Sequence, residues 1–236
     1  MHNSTAAAPF VLVHGAWVGA WCWREVEDLL RSAGHRVFAQ DLTGLGGRSH
    51  LLSPDVDLSV HIRDVANLIE KERLDDVVLV GHSYGGMVIS GVMAALGAER
   101  FRSIVYLDAF VPVDGQSLAD IIGPEQAKGA FGGIDAAEVP PIMALCGEDQ
   151  TWQRAFERST PHPRKAFFER LGDLSERERA TRKVYIHATN GPGAHNASAE
   201  LLSEDPTWQF RTIDTGHMVM VEKPNETAEL LRRAAE

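Results

Sequence analysis

The chain has 236 residues, 44% hydrophobic and 24% charged, the balance of a soluble globular protein long enough to bury a substantial core. Its formal net charge of -10 disfavours non-specific binding to nucleic acid or to an anionic membrane. The two cysteines, Cys22 and Cys146, make no disulfide framework and are expected as thiols in a reducing cytoplasm. No apolar run approaches the ~18 residues of a membrane span, and the small, polar start of the chain does not read as a secretory leader.

In chain order, PFVLVHG at Pro9–Gly15 reads as a buried parallel strand ending on glycine. Trp21–Ala33 reads as a helix stopped by Gly34, and Arg36–Leu42 as a second strand. A glycine-rich loop, Thr43–Ser53, precedes a helix over Leu58–Glu72, whose apolar residues recur at helical spacing. Asp76–Val80 is the third strand, Tyr84–Leu96 a helix and Ser103–Asp108 the fourth strand. Alternation then stops. Residues 112–182 carry six prolines among amphipathic pieces, which reads as a cap inserted into the core formed by residues 1–111 and 183–236. Lys183–Ala188 and Trp208–Ile213 are the fifth and sixth strands, and Glu226–Ala235 closes the chain as a helix. Such alternation predicts an α/β fold, a mostly parallel sheet with helices on both faces.

Gly81-His82-Ser83-Tyr84-Gly85 matches G-x-S-x-G between an apolar strand and a helix. The chain must turn sharply there, so the flanking positions need almost no side chain, and Ser83 is presented as a nucleophile. Backbone N–H groups beside it can hold an oxyanion. Tyr84 should supply one, and Ala16, in the loop after the first strand, the other. His14 reads as a structural histidine. Trp17 is a candidate for the substrate pocket, with packing an equal alternative.

A nucleophilic serine needs a base. Among the ten histidines, His217 lies just past the last strand, where the order serine, acid, histidine expects it. His187, inside a strand, reads as packing, and His195 is a weaker rival. The acid is harder to find. The loop after the fifth strand, Thr189–Asn196, holds no carboxylate. Asp108, at the end of the strand next to that of Ser83, can approach the same histidine, and a buried aspartate needs such a partner. Asp214 and the neutral Asn190 stay open as alternatives. Trp152 and Met218 complete the expected pocket. Phe131, Phe156, Phe167 and Phe168 add aromatic surface to the cap, most of it as cap core, and His162 between two prolines reads as structural.

The segments FVLVHGAWVGAWCW, LVGHSYGGMV, VYLDAFVPVDGQSL, STPHPRKAFFERL and IDTGHMVMVEKP together resemble α/β-hydrolases of the plant methylesterase and hydroxynitrile lyase branch, especially its bacterial esterases. The resemblance runs from end to end. It implies a six-stranded core with a helical cap, an oxyanion pair at Ala16 and Tyr84, a small-molecule ester as substrate, and no cofactor or metal. Two departures stand out. In the plant enzymes the acid lies near the position of Asn190 or Gly191; some haloalkane dehalogenases place it after the earlier strand, as Asp108 would be. The plant lyases carry a threonine in the oxyanion region and a lysine directly after the histidine, where this chain has Gly15 and Met218. The expected activity is therefore a serine esterase acting on an aryl, methyl or lactone ester. A cofactor-free lyase and a non-catalytic ligand-binding member of the fold are the alternatives. A homodimer is compatible with all of these.

Overall fold

Short apolar runs bounded by glycine, proline or charged residues form the strands of this chain. The computed structural model describes residues 7–132, 137–142, 150–180, 182–191, 193 and 196–236, apart from the side chains of residues 150–152, 178 and 197. The strands are β1 (Phe10–Val13), β2 (Val37–Ala39), β3 (Val77–His82), β4 (Phe101–Leu107), β5 (Glu138–Val139), β6 (His162–Pro163), β7 (Lys183–Ala188) and β8 (Trp208–Ile213). Six of them make one sheet in the order β2-β1-β3-β4-β7-β8, with every neighbouring pair parallel. The short β5 and β6 pair antiparallel as a separate ribbon.

Alternation along the strands divides the core in two. Val11 and Val13 of β1, Leu79 of β3 and Tyr106 of β4 bury on one face. Phe10 and Leu12, Val78 and Val80, and Val105 and Leu107 bury on the other. The first face is covered by α2 (Leu58–Lys71), which contributes Leu58, Val65 and Ile69, and by α3 (Gly85–Leu96). The second is covered by α1 (Arg24–Ser32) with Val26 and Leu30, and by the C-terminal helix Pro224–Ala234 with Leu231. Each fully buried Val, Leu, Ile or Phe stabilises the fold by about 1.5–3 kcal/mol, so both faces are needed.

Between β4 and β7 the chain forms α4 (Leu118–Ile122), α5 (Pro124–Ala130), β5, α6 (Gln150–Glu157), β6, α7 (Lys165–Phe168) and α8 (Ser175–Glu178). Leu118, Phe131, Val139, Phe167 and Leu171 of this stretch join the first core cluster. After β7 come α9 (Asn196–Glu204), then β8, α10 (Val219–Glu222) and α11, the C-terminal helix.

Three expectations change. The helix expected over Trp21–Ala33 begins as a 3-10 turn, Ala20–Trp23, before α1. β2 is shorter than expected because the chain leaves the sheet after Ala39, and Asp41 turns to accept from the Ala20 and Gly47 N–H groups at 2.8 and 3.1 Å. Helix α9, which no strong apolar stripe announced, supplies the crossover that two parallel strands require. Cys22 is a buried free thiol, and Cys146 lies outside the described residues. Among the described residues no helix is long and apolar enough to cross a membrane.

Candidate active site

The strands bring their carboxyl ends to one rim, where open α/β sheets bind ligands. Ser83 follows β3, Asp108 follows β4, His217 follows β8, and the Gly15–Trp17 loop follows β1. β1 and β3 are also the point where the strand order reverses, so a crevice is expected between their loops.

Ser83 sits at the elbow with φ 54°. A left-handed backbone costs an L-residue about 1–2 kcal/mol, and non-glycine residues held in it cluster at functional sites. Five such residues are described, and Trp17 (φ 62°), Ser83 and Asp108 (φ 41°) are three of them. The turn is tied down by Gly86 N–H and Phe110 N–H, which both donate to the Ser83 carbonyl at 3.0 and 3.2 Å. Ser83 stays only partly buried between the buried His82 and Tyr84. Among the described residues, no hydrogen bond holds its hydroxyl.

Close backbone approach explains the glycines. A Cβ on Gly15 would lie 3.0 Å from the Ser83 Cβ, and one on Gly85 would lie 2.8 Å from the Val13 carbonyl oxygen. The β1 loop is thus pressed against the elbow at Gly15, the residue before Ala16. Among the described residues, neither the Ala16 nor the Tyr84 N–H is taken up by a hydrogen bond.

The Nδ1 of His217 donates to Asp108 Oδ2 at 2.6 Å, and both side chains are almost fully buried. That bond leaves Nε2 as the basic nitrogen of the ring. On the other side of the carboxylate, Oδ1 accepts from the Ala188 N–H at 3.2 Å and from the His187 Nδ1 at 3.3 Å. His82 Nε2 donates to the His217 carbonyl at 2.8 Å, with the two rings 4.5 Å apart. The residue next to the serine therefore grips the histidine loop. Glu222 grips it from behind, accepting from Thr215 Oγ1 and Gly216 N–H at 2.7 Å each and from Met218 N–H at 3.2 Å. The rival acids lie elsewhere: Asp214 accepts from Asn190 Nδ2 at 2.8 Å in an exposed pair.

The pocket expectations fare unevenly. Trp17 is partly buried; its Nε1 donates to the Val139 carbonyl at 3.0 Å, and its carbonyl accepts from Thr160 N–H at 2.8 Å. Its ring borders Phe131, Phe167 and His162, at 5.6–6.4 Å between centroids. Phe131 and Phe167 are buried packing residues, as is His162, stacked on Phe167 at 4.1 Å. Met218 requires a correction. It is fully buried in the second core cluster with Val18, Cys22 and Trp23, so it packs the core and offers no pocket surface. Trp152 lies on α6, but its side chain is outside the described residues, as is His195.

Three buried histidines flank the elbow on the first face. His14 Nε2 accepts from Leu42 N–H at 3.1 Å, and its Nδ1 donates to the Gly15 carbonyl at 2.9 Å. His61 Nε2 donates to the Thr43 carbonyl at 2.9 Å, and its Nδ1 accepts from the Tyr84 hydroxyl at 2.8 Å. Burial holds all three neutral, lowering His14, pushing His61 down to about 4 and His162 well below the ordinary range. It pushes the Tyr84 phenol well up. At His61 the unfolded chain takes up a proton near pH 6.5, whereas the folded one refuses it until about pH 4. This stability is fully present above pH 6.5 and is lost as pH falls toward 4. For His61 alone the loss at pH 5 is roughly 2 kcal/mol. Urea unfolding at pH 7.5 and pH 5 should show it, and His61→Gln should shrink the pH-dependent drop by about that amount.

Strained serine, histidine and buried carboxylate at the rim of a parallel α/β sheet define a hydrolase fold. Residues 10–230 match the model of the alpha/beta hydrolase family, and the chain belongs to that family. A carbendazim hydrolyzing esterase of Nocardioides sp. (strain SG-4G) is 42% identical over 240 residues, spanning 95% of this chain and 98% of that one. Methylesterase 10 of Arabidopsis thaliana is 29% identical over 96% of this chain and 91% of its own. An extracellular alpha/beta-hydrolase from a Paenibacillus species, described as sharing homology with tobacco salicylic acid binding protein 2, has a similar structure. Its TM-score is 0.82 at 27% identity, over 96% of this chain and 98% of that one. The homologues named as esterases place the chain among the ester-bond hydrolases.

Proposed function

We propose that this chain is a serine esterase with a Ser83-His217-Asp108 triad and an oxyanion hole made by the Ala16 and Tyr84 N–H groups. The observation that carries the reading is the 2.6 Å bond from the His217 Nδ1 to a buried Asp108 carboxylate, made by the same ring that His82, the neighbour of Ser83, packs against. The Ser83 hydroxyl swings onto His217 Nε2 and attacks the ester carbonyl as the proton moves to the imidazole. Developing negative charge on the carbonyl oxygen rests on the two backbone donors, each worth about 10²–10³ in rate. Asp108 holds the imidazole in its Nδ1–H tautomer and stabilises the imidazolium. His217 then protonates the departing alkoxide, and water hydrolyses the acyl-enzyme by the same route.

A small ester bearing an aromatic or apolar group fits the Trp17 side of the site best. The lyase alternative loses ground because Met218, where a charged lysine would serve a leaving cyanide, is sealed in the core. The test is labelling by a fluorophosphonate followed by peptide mapping, with a panel of methyl, aryl and lactone esters plus carbendazim, the compound named for the Nocardioides relative. Rapid modification of Ser83 and turnover of at least one ester class are expected. No labelling, or labelling without turnover, would favour a ligand-binding member of the fold.

A further inference from the structure

Among the described residues the Asp108 carboxylate serves two histidines, and only one of them has a role in the reaction above. We propose that His187 is a positioning residue, which locks the Asp108 carboxylate so that Oδ2 stays aimed at His217. The inference rests on the reading of Asp108 as the acid of the triad.

Asp108 needs such a lock. It sits in a left-handed backbone just past the end of β4, and a carboxylate turns readily about its last side-chain torsion. Its Oδ2 gives His217 one short bond at 2.6 Å. Rotation is resisted at Oδ1, where two donors converge from the end of β7: the Ala188 N–H at 3.2 Å and the His187 Nδ1 at 3.3 Å. The backbone donor is fixed by the sheet, where Ala188 and Ile213 are partners in the β7–β8 ladder. The side-chain donor is the adjustable one. His187 is also oriented, its ring lying 6.3 Å from that of Phe210 on β8 and its side chain 18% exposed. Gly191 keeps the far side open, since a Cβ there would stand 3.3 Å from Oδ2.

This arrangement accounts for the empty loop after β7. With the carboxylate carried by β4, the end of β7 still meets the histidine's partner, but it contributes hydrogen-bond donors in place of an acid. Through its Nδ1–H, His187 donates to Oδ1 and holds that oxygen in place. The bond acts on orientation of the imidazole, so its loss should appear in kcat and leave KM nearly unchanged.

The experiment compares His187→Leu, which fills the space without a donor, with His187→Asn, whose amide nitrogen falls near the place of Nδ1. A nitrophenyl ester supplies kcat and KM, thermal unfolding supplies Tm, and Ser83→Ala and Asp108→Asn are run alongside. Expected is a roughly tenfold fall in kcat for His187→Leu, the size of one hydrogen bond to a charged group. KM and Tm should stay near the parent values, and His187→Asn should recover most of the loss. In an Asp108→Asn background His187→Leu should cost nothing further. Parent-like kcat in His187→Leu overturns the proposal while the triad stands. So does a lower Tm and kcat in His187→Asn with recovery in His187→Leu, the signature of packing. An active Asp108→Asn or Ser83→Ala removes the triad reading itself, and the proposal falls with it.

Discussion

Replacing Ser83 with alanine should lower kcat for an activated ester by about 10⁴-fold or more while the protein stays folded. Removing a serine nucleophile leaves only what the oxyanion hole and binding contribute, and losses of 10⁴–10⁶ are typical. The elbow makes a clean experiment possible. Ser83 is held by its backbone, through Gly86 N–H and Phe110 N–H on its carbonyl, so its hydroxyl can be removed without loosening the turn. Alanine keeps the same left-handed strain at φ 54°. Glycine would relieve it, so Ser83→Gly should be equally inactive and more stable by up to about 1 kcal/mol in urea. Lost activity combined with gained stability is expected where a strained backbone serves chemistry. Retained turnover in Ser83→Ala would move the nucleophile elsewhere.

The sequence revealed most where residues act locally. β7 and β8 run over the expected residues, Lys183–Ala188 and Trp208–Ile213, because compact apolar runs between polar ends leave little choice. The serine elbow was legible because its motif is contiguous, although only Gly81 answers a contact within the turn; Gly85 answers the distant Val13 carbonyl. Elements decided by distant partners were less visible. β2 is an edge strand with one neighbour, and Asp41 rather than any β-propensity ends its course. α9 covers the sheet weakly, with Ala199 buried but Leu201 74% exposed, so no apolar face announced it.

The surroundings of the site show the same limit. A histidine inside a strand reads as packing, and nothing local says that the His187 ring will meet a carboxylate from β4. Glu222 was invisible because its partners are a threonine and two backbone N–H groups, aligned only once the loop before α10 has folded. Met218 misled for the opposite reason. Its place beside His217 suggested the pocket, yet neighbours in a turn point to opposite sides, and Met218 fell to the core.

Asp108→Asn should reduce kcat by about 10³–10⁴-fold, and Asp214→Asn should change it by no more than about twofold. The first substitution keeps the shape of a residue that must adopt a left-handed backbone, a conformation asparagine tolerates as well as aspartate. What it removes is charge and acceptor capacity. Among the described residues Asp108 accepts from three donors, the two histidine Nδ1 atoms and the Ala188 N–H. An amide offers one acceptor oxygen in place of two. If that oxygen stays on His217, the amide nitrogen points its hydrogens at the Ala188 N–H and the His187 ring. If the amide flips, its nitrogen faces His217 Nδ1, the imidazole must take the other tautomer, and Nε2 can no longer accept the serine proton. Either way the imidazolium forms without a neighbouring negative charge, in a site where both side chains are nearly dry. Low local dielectric makes that loss large. Asp214, by contrast, meets Asn190 at an exposed position, where an exchange of carboxylate for amide is cheap. Steady-state kinetics on the two variants, with equal Tm as the control for folding, decides between the carboxylates. A large loss in Asp214→Asn with a small one in Asp108→Asn would reverse the assignment.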